Sequence, residues 1–215
     1  MNPLYIYWQP SEVAIHLGSL SVRWYALCWL TGLVLAYLLM KWLYKEHKYS
    51  DEKFDPLFLY VFLGILVGAR LGHCIFYEPD YFLSSGTHIV EMFLEGGGWK
   101  FTGFAGLASH GGVAGLLVGL WLYIKRYKMP TWVVLDLMGV ISCITACFIR
   151  LGNLMNSEIV GNVTDVPWAF IFAHVDKAPR HPGQLYEAIA YACFFAIIFL
   201  IYRKHKDRVG TGLYF

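Results

Sequence analysis

Five nearly unbroken apolar runs, at roughly 21 to 43, 55 to 77, 103 to 124, 131 to 149 and 185 to 202, constrain this chain more than any other feature. About 20 mainly apolar residues are needed for a helix to cross a bilayer. The runs are apolar almost all round, which suits a helix in lipid better than one with a water-facing side. With 58% hydrophobic and 15% charged residues and a mean hydropathy of +0.50, the 215-residue chain is too apolar for a soluble domain. The expected fold class is all-α, a polytopic transmembrane helix bundle. No internal repeat or low-complexity linker divides it. Residues 1–215 therefore read as a single membrane domain with loops at about 78–102 and 150–184.

The basic residues assign sides. Eleven of the 17 Lys and Arg fall in three clusters: Lys41, Lys45, Lys48 and Lys53; Lys125, Arg126 and Lys128; and Arg203, Lys204, Lys206 and Arg208. If the spans alternate, all three clusters share one side, while Arg23, Lys100, Arg150, Lys177 and Arg180 share the other. The positive-inside rule then places the clusters in the cytoplasm and the N-terminus outside, so that both loops are extracytoplasmic. A net charge of only +2, dispersed in this way, leaves no footprint for nucleic acid. Met1 to Leu20 lacks the basic start, apolar core and small-residue cleavage site of a signal peptide. The five cysteines lie inside apolar runs, where Cys acts as a small hydrophobe, so neither a disulfide framework nor a zinc site is expected.

Ionisable groups within spans are costly and point to function. Arg70 and His73 stand near the outer end of the second run, where snorkelling to headgroups is the plain alternative. Gly64 and Gly68 precede Arg70 with the small-residue spacing that lets helices approach, which favours a bundle-facing Arg70. His110, about two turns into the third run, is surrounded by Gly103, Gly106, Gly111, Gly112 and Gly115. A lone His on an apolar face more often packs than reacts. So many glycines permit close approach of a ligand, however, and imidazole is suited to take a proton near neutral pH. Asp136, a turn into the fourth run, reads as a residue paired with a neighbouring helix or hydrated from the cytoplasm.

The densest polar cluster is Arg150-Leu-Gly-Asn-Leu-Met-Asn-Ser-Glu-Ile-Val-Gly161, directly after the fourth run. Arg150 offers a planar fork that binds phosphate bidentately. Asn153 and Asn156, three apart, face one way if the helix continues. Glu158 is positioned to orient Arg150 or to act as a base. The fifth run opens on Arg180-His-Pro-Gly-Gln-Leu-Tyr-Glu187, where Pro182 suits a helix start and Glu187 suits the dipole. Arg180, His181, Gln184 and Tyr186 read either as interfacial anchors or as binding residues.

Arg150–Gly161 resembles the signature of bacterial prolipoprotein diacylglyceryl transferases, Gly-Arg-x-Gly-Asn-Phe-x-Asn-x-Glu-x-x-Gly. Arg23-Trp-Tyr25, Gly68-Ala-Arg-Leu-Gly72 with Phe76-Tyr77, Ser109-His-Gly-Gly112 and Arg180–Glu187 are similar to the family's other motifs, in the same order. Ile149, Leu154 and Gly183 depart from the pattern where it has Gly, Phe and Ser, and all three changes leave the polar set intact. The resemblance implies seven spans with a further functional Arg in the C-terminal part. The final Gly-Thr-Gly-Leu-Tyr-Phe reads as the start of another apolar segment, and the chain is expected to continue beyond it.

The resemblance further implies a reaction, located in the bacterial cytoplasmic membrane. The diacylglyceryl group of phosphatidylglycerol passes to the lipobox cysteine of a preprolipoprotein, a thioether forms and glycerol phosphate leaves, in the first step of lipoprotein maturation. On that reading His110, Arg150, Asn153 and Glu158 form the catalytic set: His110 helps form the thiolate, Arg150 neutralises the leaving phosphate and Glu158 orients Arg150. Tyr25, Arg70, Asn156, Gly161, Arg180 and Gln184 form the substrate-binding set. No metal or nucleotide is needed, because the phosphatidyl leaving group is already activated. The alternative is a transporter or binding protein for an anionic solute, with Arg70, His110 and Arg150 lining its path. The concentration of polar residues toward the outer half speaks against it, as such a path should open to both sides. An intramembrane hydrolase would need Ser109 to face the adjacent His110, which neighbours on a helix do not do.

Overall fold

The computed structural model describes residues 5–17, 20–82 and 108–215. Three short strands come first, β1 (Ile6–Trp8), β2 (Val13–Leu17) and β3 (Leu20–Arg23). Helices α1 (Trp24–Glu46), α2 (Asp51–Phe76), α3 (Pro79–Phe82), α4 (Ser109–Tyr127) and α5 (Thr131–Met155) follow. The chain then forms β4 (Phe170–Phe172), β5 (Pro179–Arg180), α6 (Gly183–Lys204) and a single 3-10 turn at Lys206–Arg208. Two compact units result, one from residues 1–43 and 132–215, the other from residues 44–131.

Among the described residues, α1, α2, α5 and α6 are long and apolar enough to cross a membrane. Their outward side chains are themselves large and apolar, for example Leu38, Leu59, Ile189 and Leu200, the last 68% exposed. Water does not tolerate such a surface over four long helices, so the chain is a polytopic membrane protein. The expected third span begins in residues 103–107, outside the described residues, as does most of the expected 78–102 loop. α4 starts at Ser109, which puts His110 in its first turn rather than two turns in. The fourth apolar run does not end its helix: α5 continues to Met155, so Arg150 and Asn153 are helical residues and not loop residues.

In the unit of residues 44–131, α2 and α4 pack through glycines. A Cβ on Gly68 would strike the Gly111 carbonyl and come within 2.7 Å of the Gly115 Cα, and one on Gly115 would strike the Gly64 carbonyl. The small-residue spacing is therefore used as expected, and Arg70, 5% exposed, faces inward. Tyr44 and Tyr123, both fully buried, meet hydroxyl to hydroxyl at 3.2 Å, and Tyr123 donates to the Lys53 carbonyl at 2.7 Å.

In the other unit α1, α5 and α6 carry the bulk. Asp136, 0% exposed, accepts backbone N–H bonds from Gly210 (2.8 Å), Gly212 (3.0 Å) and Tyr214 (2.9 Å). Its partner is thus the chain after α6, rather than a neighbouring helix or water. The five cysteines are free thiols. A small sheet orders β1 parallel to β4 and β4 antiparallel to β5, and β2 and β3 form a separate hairpin. Apolar periodicity of the spans carries no sign of these strands, which are too short to leave a pattern.

Candidate active site

The polar cluster is shaped by how α5 ends. Ser157 adopts the left-handed conformation (φ 55°), its N–H reaches the Leu154 carbonyl at 3.1 Å, and the Glu158 N–H reaches the Asn153 carbonyl at 2.9 Å. These are the two bonds of a Schellman motif, with Ser where glycine is usual. The motif folds the chain back over the last helical turn. As a result Glu158 stands over Asn153 and Asn156: Asn153 Nδ2 donates to its Oε2 at 3.1 Å and Asn156 Nδ2 to its Oε1 at 3.2 Å. Ile159 is also left-handed (φ 55°), a costly conformation for a β-branched residue. Two strained residues within three positions mark a geometry that the surroundings impose.

Those surroundings are the small sheet and the start of α6. The Trp8 indole donates to the Leu154 carbonyl at 3.0 Å, giving that helix-end carbonyl a second donor beside the Ser157 N–H. Its ring packs on Phe170 at 5.6 Å, over a core of Leu154, Phe170 and Phe172. From α6, buried Gln184 donates through Nε2 to the Glu158 carbonyl. Gly161 is held between its N–H, which donates to the His181 carbonyl at 3.0 Å, and its carbonyl, which accepts from Arg180 Nη1 at 3.2 Å. A Cβ there would come 2.6 Å from the His181 carbonyl oxygen, so only glycine fits.

Arg150 pairs with Glu187 across α5 and α6, Nε to Oε2 at 2.6 Å. The carboxylate that orients Arg150 is therefore Glu187, not the expected Glu158, because the Schellman turn commits Glu158 to the two asparagines. Among the described residues Arg150 is engaged through Nε alone, so both Nη groups remain to meet an anion. Tyr25 packs beside this helix end, as a Cβ on Gly152 would lie 3.0 Å from its ring.

Arg180, expected among the binding residues, directs its donors to the protein. Nε and Nη2 grip Asp176 at 3.0 and 2.5 Å, while Nη1 holds Gly161. This pair holds the Asp176 carboxyl below the ordinary carboxylate range and raises the Arg180 guanidinium in turn. Tyr186 accepts from the Trp168 indole at 2.8 Å and contacts His181 Nδ1 at 3.1 Å. Tyr25, Arg150, Asn153, Asn156, Glu158, Gly161, Arg180 and Gln184 thus belong to one unit; Arg70 and His110 belong to the other, where His110 is exposed. Sequence reading missed Trp8 and Asp176, neither of which stands in a patterned context, and saw Glu187 only as a residue suited to a helix start.

A profile described as Prolipoprotein diacylglyceryl transferase matches residues 12–215. The chain is 51% identical to the phosphatidylglycerol–prolipoprotein diacylglyceryl transferase of Bacteroides fragilis, over 99% of the chain and 77% of that protein. It is 39% identical to the enzyme of the same name from Tolumonas auensis, over 98% and 78% of the two lengths. The corresponding protein of Chloroherpeton thalassium is 41% identical over 97% and 75%.

Proposed function

Since the chain belongs to the prolipoprotein diacylglyceryl transferase family, transferring a diacylglyceryl group from phosphatidylglycerol to prolipoproteins, we propose that the step takes place at the Arg150–Gly161 turn. The observation that carries this is the pairing of Arg150 with Glu187 through Nε, which leaves two guanidinium nitrogens unengaged among the described residues, on the same helix as Asn153 and one turn before it.

In the reaction a cysteine thiolate attacks the glycerol carbon that bears the phosphate. The S–C bond forms, the C–O bond to phosphate breaks, and glycerol phosphate leaves with the electron pair. A free thiol has a pKa of about 8.5, so a base must take its proton. His110 is our candidate, supported by its position in an exposed first turn of α4. Arg150 meets the growing phosphate charge, where a preoriented donor away from water is most effective. Glu187 holds the guanidinium in position. Asn153 fixes Glu158, and Glu158 in turn fixes the loop that Arg180 and Gly161 brace. Tyr25 is a further substrate contact, supported by its packing beside Gly152, and the resemblance of Gly68–Gly72 to the family's second motif is what makes Arg70 a candidate for another.

The cysteine acceptor is the lipobox cysteine of an exported precursor. The charge pattern supports a site facing the extracytoplasmic side of the bacterial cytoplasmic membrane, with five spans in this chain and the N-terminus outside. Reconstituted protein with phosphatidylglycerol and a lipobox peptide should yield a thioether-linked diacylglyceryl peptide by mass spectrometry. Arg150→Ala and Asn153→Ala should each abolish it; normal turnover in both would sink the site assignment.

A further inference from the structure

β1 is the open edge of the small sheet. β4 pairs with β5, and Val163 bridges the far side of β5 at Arg180, whereas among the described residues nothing pairs with the far side of β1. Against β4, the Ile6 N–H donates to the Ala169 carbonyl at 2.9 Å and the Ala173 N–H donates to the Trp8 carbonyl at 3.1 Å. Bonding residues alternate along a strand, so Tyr7, in register with Ile171, turns its N–H and carbonyl away from β4. Such an edge is a template for another extended chain, which is why proteins commonly guard it with charge or proline. Tyr5 to Gln9 contain neither, and Ile6 and Tyr7 are 43% and 65% exposed.

This edge is continuous with the proposed site. Trp8, next to Tyr7, donates to the Leu154 carbonyl at the end of α5 and packs on Phe170. Leu154 follows Arg150 by four residues, about 6 Å along the helix. The acceptor of the reaction is itself a polypeptide, and its cysteine arrives with chain attached on both sides. An enzyme of prolipoproteins meets many sequences, and main-chain bonds hold a strand without reading its side chains. Resting on the proposal that the Arg150–Gly161 turn is the active site, we infer that the acceptor segment after the cysteine adds to β1 as a further strand, bonded to the Tyr7 N–H and carbonyl. At about 3.3 Å per residue and about 4.8 Å between strands, that segment begins roughly three to six residues past the cysteine. So short an edge is too small to hold two copies together, but it suits a substrate that must leave.

The test uses the full chain in vesicles containing phosphatidylglycerol, with lipobox peptides that extend ten residues past the cysteine and carry one N-methyl amide each, moved along that extension. A methyl on an amide that bonds β1 removes the donor, while one on the opposite side of the strand does not. The peptide KM should therefore rise about tenfold at alternate positions and stay nearly level between them, with kcat intact. Tyr7→Pro removes the edge N–H, keeps every bond to β4, and suits an outward-facing edge position. It should raise the KM of the unmethylated peptide and flatten the alternation, leaving the KM of phosphatidylglycerol unchanged. A wild-type profile without alternation overturns the inference and needs no variant to fold. So does an alternation that survives in folded Tyr7→Pro, or a flat profile whose KM climbs with protein density in the vesicles, which would seat a second copy on β1. Absence of transfer to the unmethylated peptide in the wild type would instead overturn the assignment of the reaction to this chain.

Discussion

Ser157 shows how a single backbone conformation organises the site. In the left-handed region it turns the chain so that Glu158 faces two asparagines, and a residue with a Cβ is strained there. Ser157→Gly is expected to keep activity and raise stability by about 1 kcal/mol, whereas Ser157→Val should lower both, read by thermal unfolding in detergent and by peptide lipidation. The Asp176–Arg180 clamp makes a pH prediction. The folded Asp176 carboxyl is held below its ordinary value, so its contribution is fully present above about pH 4 and disappears as the pH falls through the lowered value. The stability difference between wild type and Asp176→Asn should therefore stay constant from about pH 5 to 8 and shrink below about pH 4. A difference that grew toward acid would show that the clamp does not stabilise the loop.

Elements meet here through small residues or through single polar anchors. The α2–α4 seam admits no side chain, as a Cβ at Gly68 would meet the backbone of Gly111 and Gly115. Gly68→Leu should separate the two helices and cost a few kcal/mol, as overpacking against backbone does, seen as a lower unfolding temperature with lost lipidation. That seam was legible in the sequence, since Gly64 and Gly68 are adjacent in a pattern with a direct steric meaning. The role of Asp136 was not. Its three bonds go to Gly210, Gly212 and Tyr214, more than 70 residues later, and nothing local distinguishes such a carboxylate from one that is merely hydrated. The end of α5 was misplaced for a related reason: hydropathy falls at Arg150, but the helix needs only backbone bonds to continue to Met155.

At the scale of the whole molecule, the basic clusters predict which side each loop occupies. In a variant lacking the native cysteines, Asn162→Cys should react with a membrane-impermeant thiol reagent from outside the cell. Lys48→Cys and Lys206→Cys should react only after permeabilisation; the reverse pattern would invert the proposed orientation. Long apolar runs, their flanking charges and the ordered polar motifs were all readable from the sequence, because the bilayer acts on each segment independently and leaves a local record. Pairing was not readable in this way. Arg150 meets Glu187, Gln184 meets the Glu158 carbonyl and Trp8 meets the Leu154 carbonyl through contacts that depend on where α5 stops, how Ser157 turns the chain and where α6 starts. The sequence by itself determined that the chain lies in a membrane and which residues are available for chemistry. Only the tertiary structure decided which carboxylate holds the arginine and which backbone carbonyl the Gln184 amide serves, because those outcomes follow from angles between distant segments that no local pattern encodes.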